Sequence, residues 1–278
     1  MKIFRYTRWS LARELAFVVG ALIFCVPLYL LVAISLKGPD DALVAPLSLP
    51  SSPDLGNYSA AAQSEPVSML SAMFNSAVVT LSTVVLLIVF GSLCAYAIAR
   101  YRTRLSSTLY YLFVIGIILP HQAAILPLFS VLNELGLTGT RVGVILVYTG
   151  FMMPLTVFLY AGFMRGVPHE YEEAAEVDGA SPMRLYWRVV FPLVRPVTWT
   201  VAILTGLFVW NDLFVSLVFL SGTSNATLPV ALYSFAEVSL GQWQLVFAGV
   251  AIAILPALVF YLLAQRRIVA GFAGGIKG

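Results

Sequence analysis

Long apolar runs without a charged side chain are the feature that most constrains this chain. Five runs contain no Asp, Glu, Lys or Arg, and a sixth is interrupted only by Asp212. The five runs cover residues 15–36, 72–99, 105–132, 142–164 and 238–264, and the sixth covers 197–220. A helix of about 20 apolar residues crosses a hydrocarbon core of roughly 30 Å. Because the runs do not alternate polar and apolar residues as barrel strands do, they predict an all-α integral membrane protein.

Composition supports the same fold class. The chain has 278 residues, of which 60% are hydrophobic and 10% charged, which is more apolar surface than a soluble core of this length can bury. No linker or low-complexity stretch marks a second domain. We therefore predict one transmembrane domain over 1–278, a six-helix bundle with a cytoplasmic loop at 165–196. Its spans are placed at about 15–36, 72–99, 106–131, 142–164, 197–220 and 244–264.

The basic residues predict the orientation. With the N-terminus in the cytoplasm, fourteen of the sixteen Lys and Arg residues fall in inner segments, and only Lys37 and Arg141 lie outside. This bias follows the positive-inside rule and predicts a multi-pass protein with both termini in the cytoplasm. The basic residues are dispersed over four short segments, so the net charge of +3 indicates topology and no nucleic-acid partner.

The loop at 165–196 is predicted to form two short helices. Pro168 suits a first helical position, and Gly179 suits the left-handed residue that ends a helix. Ser181 and Pro182 then suit the cap and first position of a second helix, which is predicted to end before Pro192. Lying on the membrane surface is one interpretation of the first helix. Anionic lipid would repel its five carboxylates, so docking to a basic protein cleft explains them better. They are Glu170, Glu172, Glu173, Glu176 and Asp178.

The same loop carries a family motif. Glu173-Ala174-Ala175, then Gly179, Val189 and Phe191-Pro192, resembles the EAA motif of prokaryotic ABC importer permeases, with Val and Phe in place of the usual Ile and Leu. The extended sequence through Asp178-Gly179-Ala180-Ser181-Pro182 is similar to the carbohydrate-uptake, MalG-like branch. Stretches at 95–100, 210–212 and 265–278 agree, so the resemblance covers nearly the whole chain.

The resemblance implies a permease of the prokaryotic plasma (inner) membrane that imports a carbohydrate. Its implied partners are a second homologous permease, two ATP-binding subunits and an extracytoplasmic solute-binding protein, with lipid around the bundle. A coupling helix near 168–179 would dock into a cleft of an ATP-binding subunit, and the C-terminal tail would reach between the two ATPase subunits. The coupling residues would be Glu172, Glu173, Ala174, Ala175, Asp178, Gly179 and Pro192, and the tail residues Gly274, Gly275 and Lys277.

ATP hydrolysis is expected on other chains. The sequence has no Gly-x-x-x-x-Gly-Lys-Ser/Thr loop to hold phosphates, and it shows no catalytic set and no metal-ligand spacing. We therefore expect no enzyme activity and no cofactor in this chain, with ATP and Mg bound by the partner subunits. A membrane-embedded enzyme or an autonomous secondary carrier is the alternative from another class.

A few polar side chains within the runs are candidates for the solute path. Asp212 is costly at a bilayer centre, about 2.5–3.5 kcal/mol, so it should face the protein interior or water. Asn211 and Asp212 could contact sugar hydroxyls or could instead tie the fifth helix to its neighbours. The remaining candidates are Tyr148, Thr149, His121 and Gln122. Pro120, Pro127 and Pro154 are expected to kink the third and fourth spans or to be tolerated there. A polyol or glycerol-phosphate remains the alternative solute.

Overall fold

The computed structural model describes residues 8–63, 67–101 and 103–274, and every regular element in these ranges is helical. The all-α prediction is thus confirmed. In chain order the helices are α1 (Arg8–Ser35), α2 (Pro39–Val44), α3 (Gly56–Ala62), α4 (Met69–Arg100), α5 (Arg104–Ile118), α6 (Ile125–Glu134), α7 (Arg141–Met164), α8 (Glu170–Val177), α9 (Pro182–Leu193), α10 (Arg195–Asn211), α11 (Phe214–Leu220), α12 (Leu228–Val238) and α13 (Trp243–Gly274).

Three helices of the described chain are long and apolar enough to cross a membrane. They are Ser10–Ser35 within α1, all of α4 and all of α7. Two bent pairs, Arg104–Ile118 with His121–Glu134 and Pro182–Leu193 with Arg195–Asn211, bring the number to five if each pair is one span. The predicted last span, 244–264, lies within the continuous helix α13. The count of six spans therefore stays a prediction.

The third predicted span, 106–131, is not one straight helix. Helix α5 ends at Ile118, and the chain turns by 98° into a short 3-10 turn, His121–Ala124, that leads into α6. Leu119 and Pro120 are both extended, with ψ of 132° and 110°. A residue before proline is driven from helical backbone angles, which explains the break at this point. Pro154, in contrast, lies inside the unbroken helix α7.

The fifth predicted span, 197–220, is also divided. Helix α10 ends at Asn211, Asp212 is extended with ψ of 120°, and α11 starts at Phe214. The single charged residue of the run therefore lies at a helix break. An unwound turn at membrane depth is tolerated where side chains satisfy its backbone groups.

The loop at 165–196 forms the two predicted helices, with shifted ends. The first, α8, begins at Glu170 and not at Pro168. The second has Ser181 at its cap position and Pro182 in its first turn, as predicted, although the Ser181 side chain makes no capping hydrogen bond. This helix continues through Pro192 to Leu193. A π-helical turn, Tyr186–Val190, precedes Pro192 and widens the helix there. The wider turn accommodates a residue that has no backbone N–H, so the prediction that α9 ends before Pro192 is wrong.

The contacts divide the chain into two compact units, Met1–Leu70 with Ala231–Ala257 and Ser71–Val230 with Leu258–Gly278. In the first unit, the segment after α1 folds around buried Lys37. Its ammonium donates to the carbonyl oxygens of Ala45 and Pro46 and to Ser48 Oγ. Asn57 Nδ2 donates to the carbonyl oxygens of Ser35 and Lys37 at 3.0 and 2.9 Å, which closes the segment.

The second unit contains two apolar cores. One joins the end of α4 and the second half of α7 to α9 and the start of α10, with Tyr160 and Tyr186 as its largest buried side chains. The other joins α7 to α6, α10 and α11 around Tyr148. The first core lies directly under the loop that carries the EAA-like motif, so it determines how that loop is held.

Candidate functional site

Helix α8 presents most of its side chains to solvent. Glu173, Ala174, Glu176 and Asp178 are exposed, and Val177 retains 89% of its accessible surface. Ala175 is the partly buried member of the Glu-Ala-Ala triplet and packs against the core below. The outer face thus combines carboxylates with small or apolar side chains, which a protein cleft bearing arginines can receive closely.

Glu172 faces the opposite way. Its carboxylate Oε1 lies 2.5 Å from Arg100 Nη2, and the two side chains keep only 9% and 7% of their surface. Tyr96 donates its hydroxyl to Glu172 Oε2 at 2.8 Å. Arg100 also donates to the carbonyl oxygen of Val167 at 3.2 Å, just before α8. The buried pair therefore ties the loop to the end of α4.

Gly179 ends α8 with the backbone geometry that its sequence position predicts. Its φ is +75°, in the left-handed region. Gly179 N–H donates to the carbonyl of Glu176 at 2.9 Å, and Ala180 N–H donates to that of Ala175 at 3.0 Å. These two hydrogen bonds are the Schellman pattern that closes a helix C-terminus. They set the direction in which the chain leaves α8 for α9.

A second polar contact fastens the loop to α4. Tyr186 on α9 is 1% exposed and donates to Ser92 Oγ at 2.6 Å. Burial raises the pKa of Tyr186 to about 12, so it remains a neutral donor. Ser92 in turn donates to the carbonyl of Ile88, which lies in the π-helical turn Leu87–Gly91 of α4. An extra residue in a helical turn leaves backbone carbonyls without their usual N–H partner, and the Ser92 hydroxyl donates to the carbonyl of Ile88 in its place.

Arg100, Tyr96 and Tyr186 were not predicted as functional residues. Tyr96 and Arg100 lie in the 95–100 stretch that agrees with the family resemblance, and Tyr186 lies within the loop. A tyrosine and an arginine four residues apart lie on the same helix face, and this spacing is the sequence signal that could have indicated a shared polar partner. It did not indicate which carboxylate they contact.

Asp212 is held by contacts within the second unit. Tyr148, fully buried, donates to Asp212 Oδ2 at 2.9 Å and lies 2.8 Å from Ser216 Oγ. The same carboxylate oxygen accepts the backbone N–H of Val215 at 2.9 Å, at the start of α11. Asp212 therefore joins α7 to the break between α10 and α11, and the positive end of α11 stabilises its charge.

The other path candidates do not join this cluster. Asn211 is exposed and donates to the carbonyl of Leu207 at 2.8 Å, while Thr149 donates to that of Ile145 at 2.7 Å. Gln122 is exposed. His121 borders a cleft of about 480 Å³ whose other described walls are mostly apolar. Its ring centroid lies 5.3 Å from that of Phe151 and 5.7 Å from that of Phe208.

The predicted tail site is only partly visible. Gly274 is the last residue of α13, whereas Gly275 and Lys277 lie outside the described residues. Pro192, the last residue of the motif, is half-buried within α9. Its neighbours Trp187 and Phe191 have ring centroids 5.0 Å apart. The end of the motif therefore lies beside the aromatic cluster under the loop.

A family model and several individual proteins match this sequence, and they indicate the same kind of protein. Residues 87–272 match the model of the family described as "Binding-protein-dependent transport system inner membrane component". AmyC of Thermoanaerobacterium thermosulfurigenes, a probable starch degradation products transport system permease protein, is 34% identical over 261 residues, 94% of each chain. MelC of Bacillus subtilis (strain 168), a melibiose/raffinose/stachyose import permease protein, is 34% identical over 264 residues, with 93% of this chain and 95% of MelC covered.

A solved structure shows the same fold. A chain of a bacterial ABC transporter involved in the import of the acidic polysaccharide alginate superposes with a TM-score of 0.79 and 21% identity. The match covers 95% of this chain and 99% of the other. A likeness at this identity extends to the arrangement of helices and leaves the solute open.

Proposed function

This chain belongs to the family of binding-protein-dependent transport system inner membrane components, and we propose that it is the permease subunit of an ABC importer for a carbohydrate. The family match agrees with the resemblance seen in the EAA-like loop. The relatives AmyC and MelC are described as permeases for starch degradation products and for melibiose, raffinose and stachyose. They support a mono- or oligosaccharide as the solute, in preference to a polyol or glycerol-phosphate.

The observation that carries the proposal is the two-sided helix α8. Glu172 is buried against Arg100 and Tyr96, whereas Glu173 on the next position is exposed. The exposed face, with Ala174, Glu176 and Asp178, would dock into the cleft of an ATP-binding subunit. The inner face would pass the movement of that subunit to α4. Gly179 would set the exit angle and Pro192 would close the docking segment.

Mechanical coupling follows from this arrangement. A buried ion pair with a hydrogen bond on each side is costly to break, so α8 and the end of α4 move together. Closure of two ATP-binding subunits would shift α8 as a rigid body, and α4 would follow, switching the bundle between inward and outward openings. ATP and Mg would be bound on those partner subunits, and this chain would hold no cofactor.

The full assembly would contain this chain, a second homologous permease, two ATP-binding subunits and an extracytoplasmic solute-binding protein. One solved complex of a similar fold is described as the bacterial alginate ABC transporter with an alginate pentasaccharide-bound periplasmic protein, at a TM-score of 0.66. The chain would span the inner membrane six times with both termini in the cytoplasm. The five spans counted with the bent pairs, together with α13, are compatible with that number.

The polar residues of the membrane part divide into two roles in this proposal. Asp212, tied to Tyr148 and to α11, would stabilise the bend between α10 and α11. The cleft beside His121 would border the solute path, because its aromatic walls suit the apolar faces of sugar rings and its imidazole offers a hydrogen bond. Gln122, Thr149 and Asn211 would contribute at most peripheral polar groups.

Reconstitution tests the proposal. The chain and its partner permease would be placed in liposomes with the ATP-binding subunits inside and the loaded solute-binding protein outside. Carbohydrate uptake should require ATP and all components. Uptake by this chain without the ATP-binding subunits would contradict the proposal and identify an autonomous carrier.

A further inference from the structure

A basic pocket lies between the end of α4, the start of α5 and the end of α7. It encloses about 420 Å³, and none of the described residues lining it is acidic. Its polar lining residues are Arg100, Tyr101, Ser106, Ser107, Arg165 and His169. The proposed coupling does not use this pocket, although Arg100 belongs to both.

The positive charge of the pocket is only partly compensated. Arg100 is paired with Glu172, which does not line the pocket, but the buried Nε–H of Arg100 has no acceptor in the described part of the chain. Arg165 forms no ion pair with any described residue. Its guanidinium carbon lies 4.1 Å from the centroid of the Tyr110 ring. This cation–π contact holds the charge at the pocket without neutralising it.

A helix N-terminus adds to the positive potential. Helix α5 starts at Arg104, and Thr103 caps it by accepting the Ser106 N–H at 3.1 Å. Ser106 and Ser107 line the pocket in the first turn of this 15-residue helix. The Ser107 hydroxyl donates to the Thr103 carbonyl at 3.3 Å, whereas the Ser106 hydroxyl lies 3.0 Å from Thr103 Oγ1 and can accept from it, which leaves its own proton for a ligand. The first N–H groups and the dipole of such a helix favour an anion, and phosphate in particular.

The predicted topology places the pocket at the depth of the lipid head groups. Residues 100–104 connect the predicted spans 72–99 and 106–131, and Arg165 directly follows the span 142–164. Tyr101, which lines the pocket, is 63% exposed, as is typical of aromatic residues at a membrane interface. In the proposed orientation this is the cytoplasmic leaflet, where anionic lipids meet basic pockets between helices.

We propose that this pocket binds the phosphate of an anionic lipid head group in the cytoplasmic leaflet. Arg165 provides the uncompensated charge, and the first turn of α5 provides hydrogen-bond donors through its backbone N–H groups and the Ser106 hydroxyl. The bound head group would lie next to Arg100, which anchors α8. The choice of a lipid over free phosphate rests on the proposed membrane orientation.

Native mass spectrometry of the full-length chain tests the site. The detergent-solubilised protein would be incubated with phosphatidylglycerol, with phosphatidylcholine, or with inorganic phosphate as competitor. Arg165→Gln should reduce retained phosphatidylglycerol about tenfold, the loss expected from about 1.4 kcal/mol of binding. Arg184→Gln is the matched control, because Arg184 is exposed on the same loop and does not line the pocket. Ser106→Ala provides a second, milder variant with an expected several-fold loss.

The outcomes separate the alternatives. Selective retention of phosphatidylglycerol that needs Arg165, and that inorganic phosphate does not displace, supports the lipid site. Displacement by inorganic phosphate supports the phosphate site and assigns it to the free ion. Equal retention of both lipids, or no effect of Arg165→Gln and Ser106→Ala, overturns the proposed lipid site. Normal ATP-dependent uptake in those variants would leave the transport function standing when the lipid site fails.

Discussion

Tyr96 donates a hydrogen bond of 2.8 Å to Glu172 across a separation of 76 residues, in a contact shared with Arg100. The contact joins the last turns of α4 to the loop helix α8. It makes Glu172 the inner partner of a pair of adjacent glutamates, of which Glu173 is the outer one. The two carboxylates should therefore respond differently to substitution.

Glu172→Ala should destabilise the chain. Removing the carboxylate leaves Arg100 buried without its counter-ion, and breaking such a pair costs about 3–5 kcal/mol. We expect a lower thermal unfolding temperature in detergent and faster proteolysis between α7 and α9. Glu176→Ala, at an exposed position of the same helix, should change neither quantity. An unaltered melting curve for Glu172→Ala would contradict the anchoring role.

Glu173→Ala should act on coupling and leave the fold intact. Its side chain is exposed, so its loss should not alter insertion or unfolding temperature. We expect uptake to fall to a small fraction of the wild-type rate and co-purification with the ATP-binding subunit to weaken. Glu134→Ala, an exposed glutamate outside the loop, serves as the control. Wild-type uptake by Glu173→Ala would count against docking through this face.

Gly179 should tolerate asparagine better than valine. Apart from its chain neighbours, no heavy atom lies within 4 Å of the position that a Cβ would take at Gly179, so the constraint is the φ of +75° alone. A left-handed residue other than glycine costs about 1–2 kcal/mol, and asparagine accepts this conformation more readily than a β-branched residue. Uptake should be largely kept in Gly179→Asn and lost in Gly179→Val. Equal uptake in both would show that the backbone angle is unimportant.

Tyr148→Phe should reduce stability without changing solute affinity. The substitution removes the donor to Asp212 and the contact with Ser216, at a cost of about 1–2 kcal/mol. The unfolding temperature should decrease while the apparent KM for uptake stays within twofold. Asn211→Ala, which loses only a bond to its own helix, should leave the unfolding temperature unchanged. A large increase in KM for Tyr148→Phe at unchanged stability would place Tyr148 and Asp212 on the solute path.

The sequence by itself determined the helical fold class, the apolar runs and the ends of several elements. These depend on local rules: apolar length, the φ freedom of Gly179, and the helix start set by Ser181 and Pro182. The helix break at Pro120 could also be predicted from the sequence, because the backbone of Leu119 is restricted by the next residue alone. The continuation of α9 through Pro192 could not be predicted from the sequence, since it depends on a π-helical turn that no local rule predicts.

Only the tertiary structure decided which polar groups meet. Glu172 and Glu173 are the same residue type one position apart, and the local sequence gives no reason to bury one of them. The choice is made by Arg100 and Tyr96, which lie on a distant helix and reach only one face of α8. Likewise, the sequence allowed Asp212 to contact either a solute or a neighbouring helix. In the structure its carboxylate accepts hydrogen bonds from Tyr148 and from the N-terminus of α11. Buried charges are stabilised by the partners that packing brings to them, and packing is a property of the whole fold.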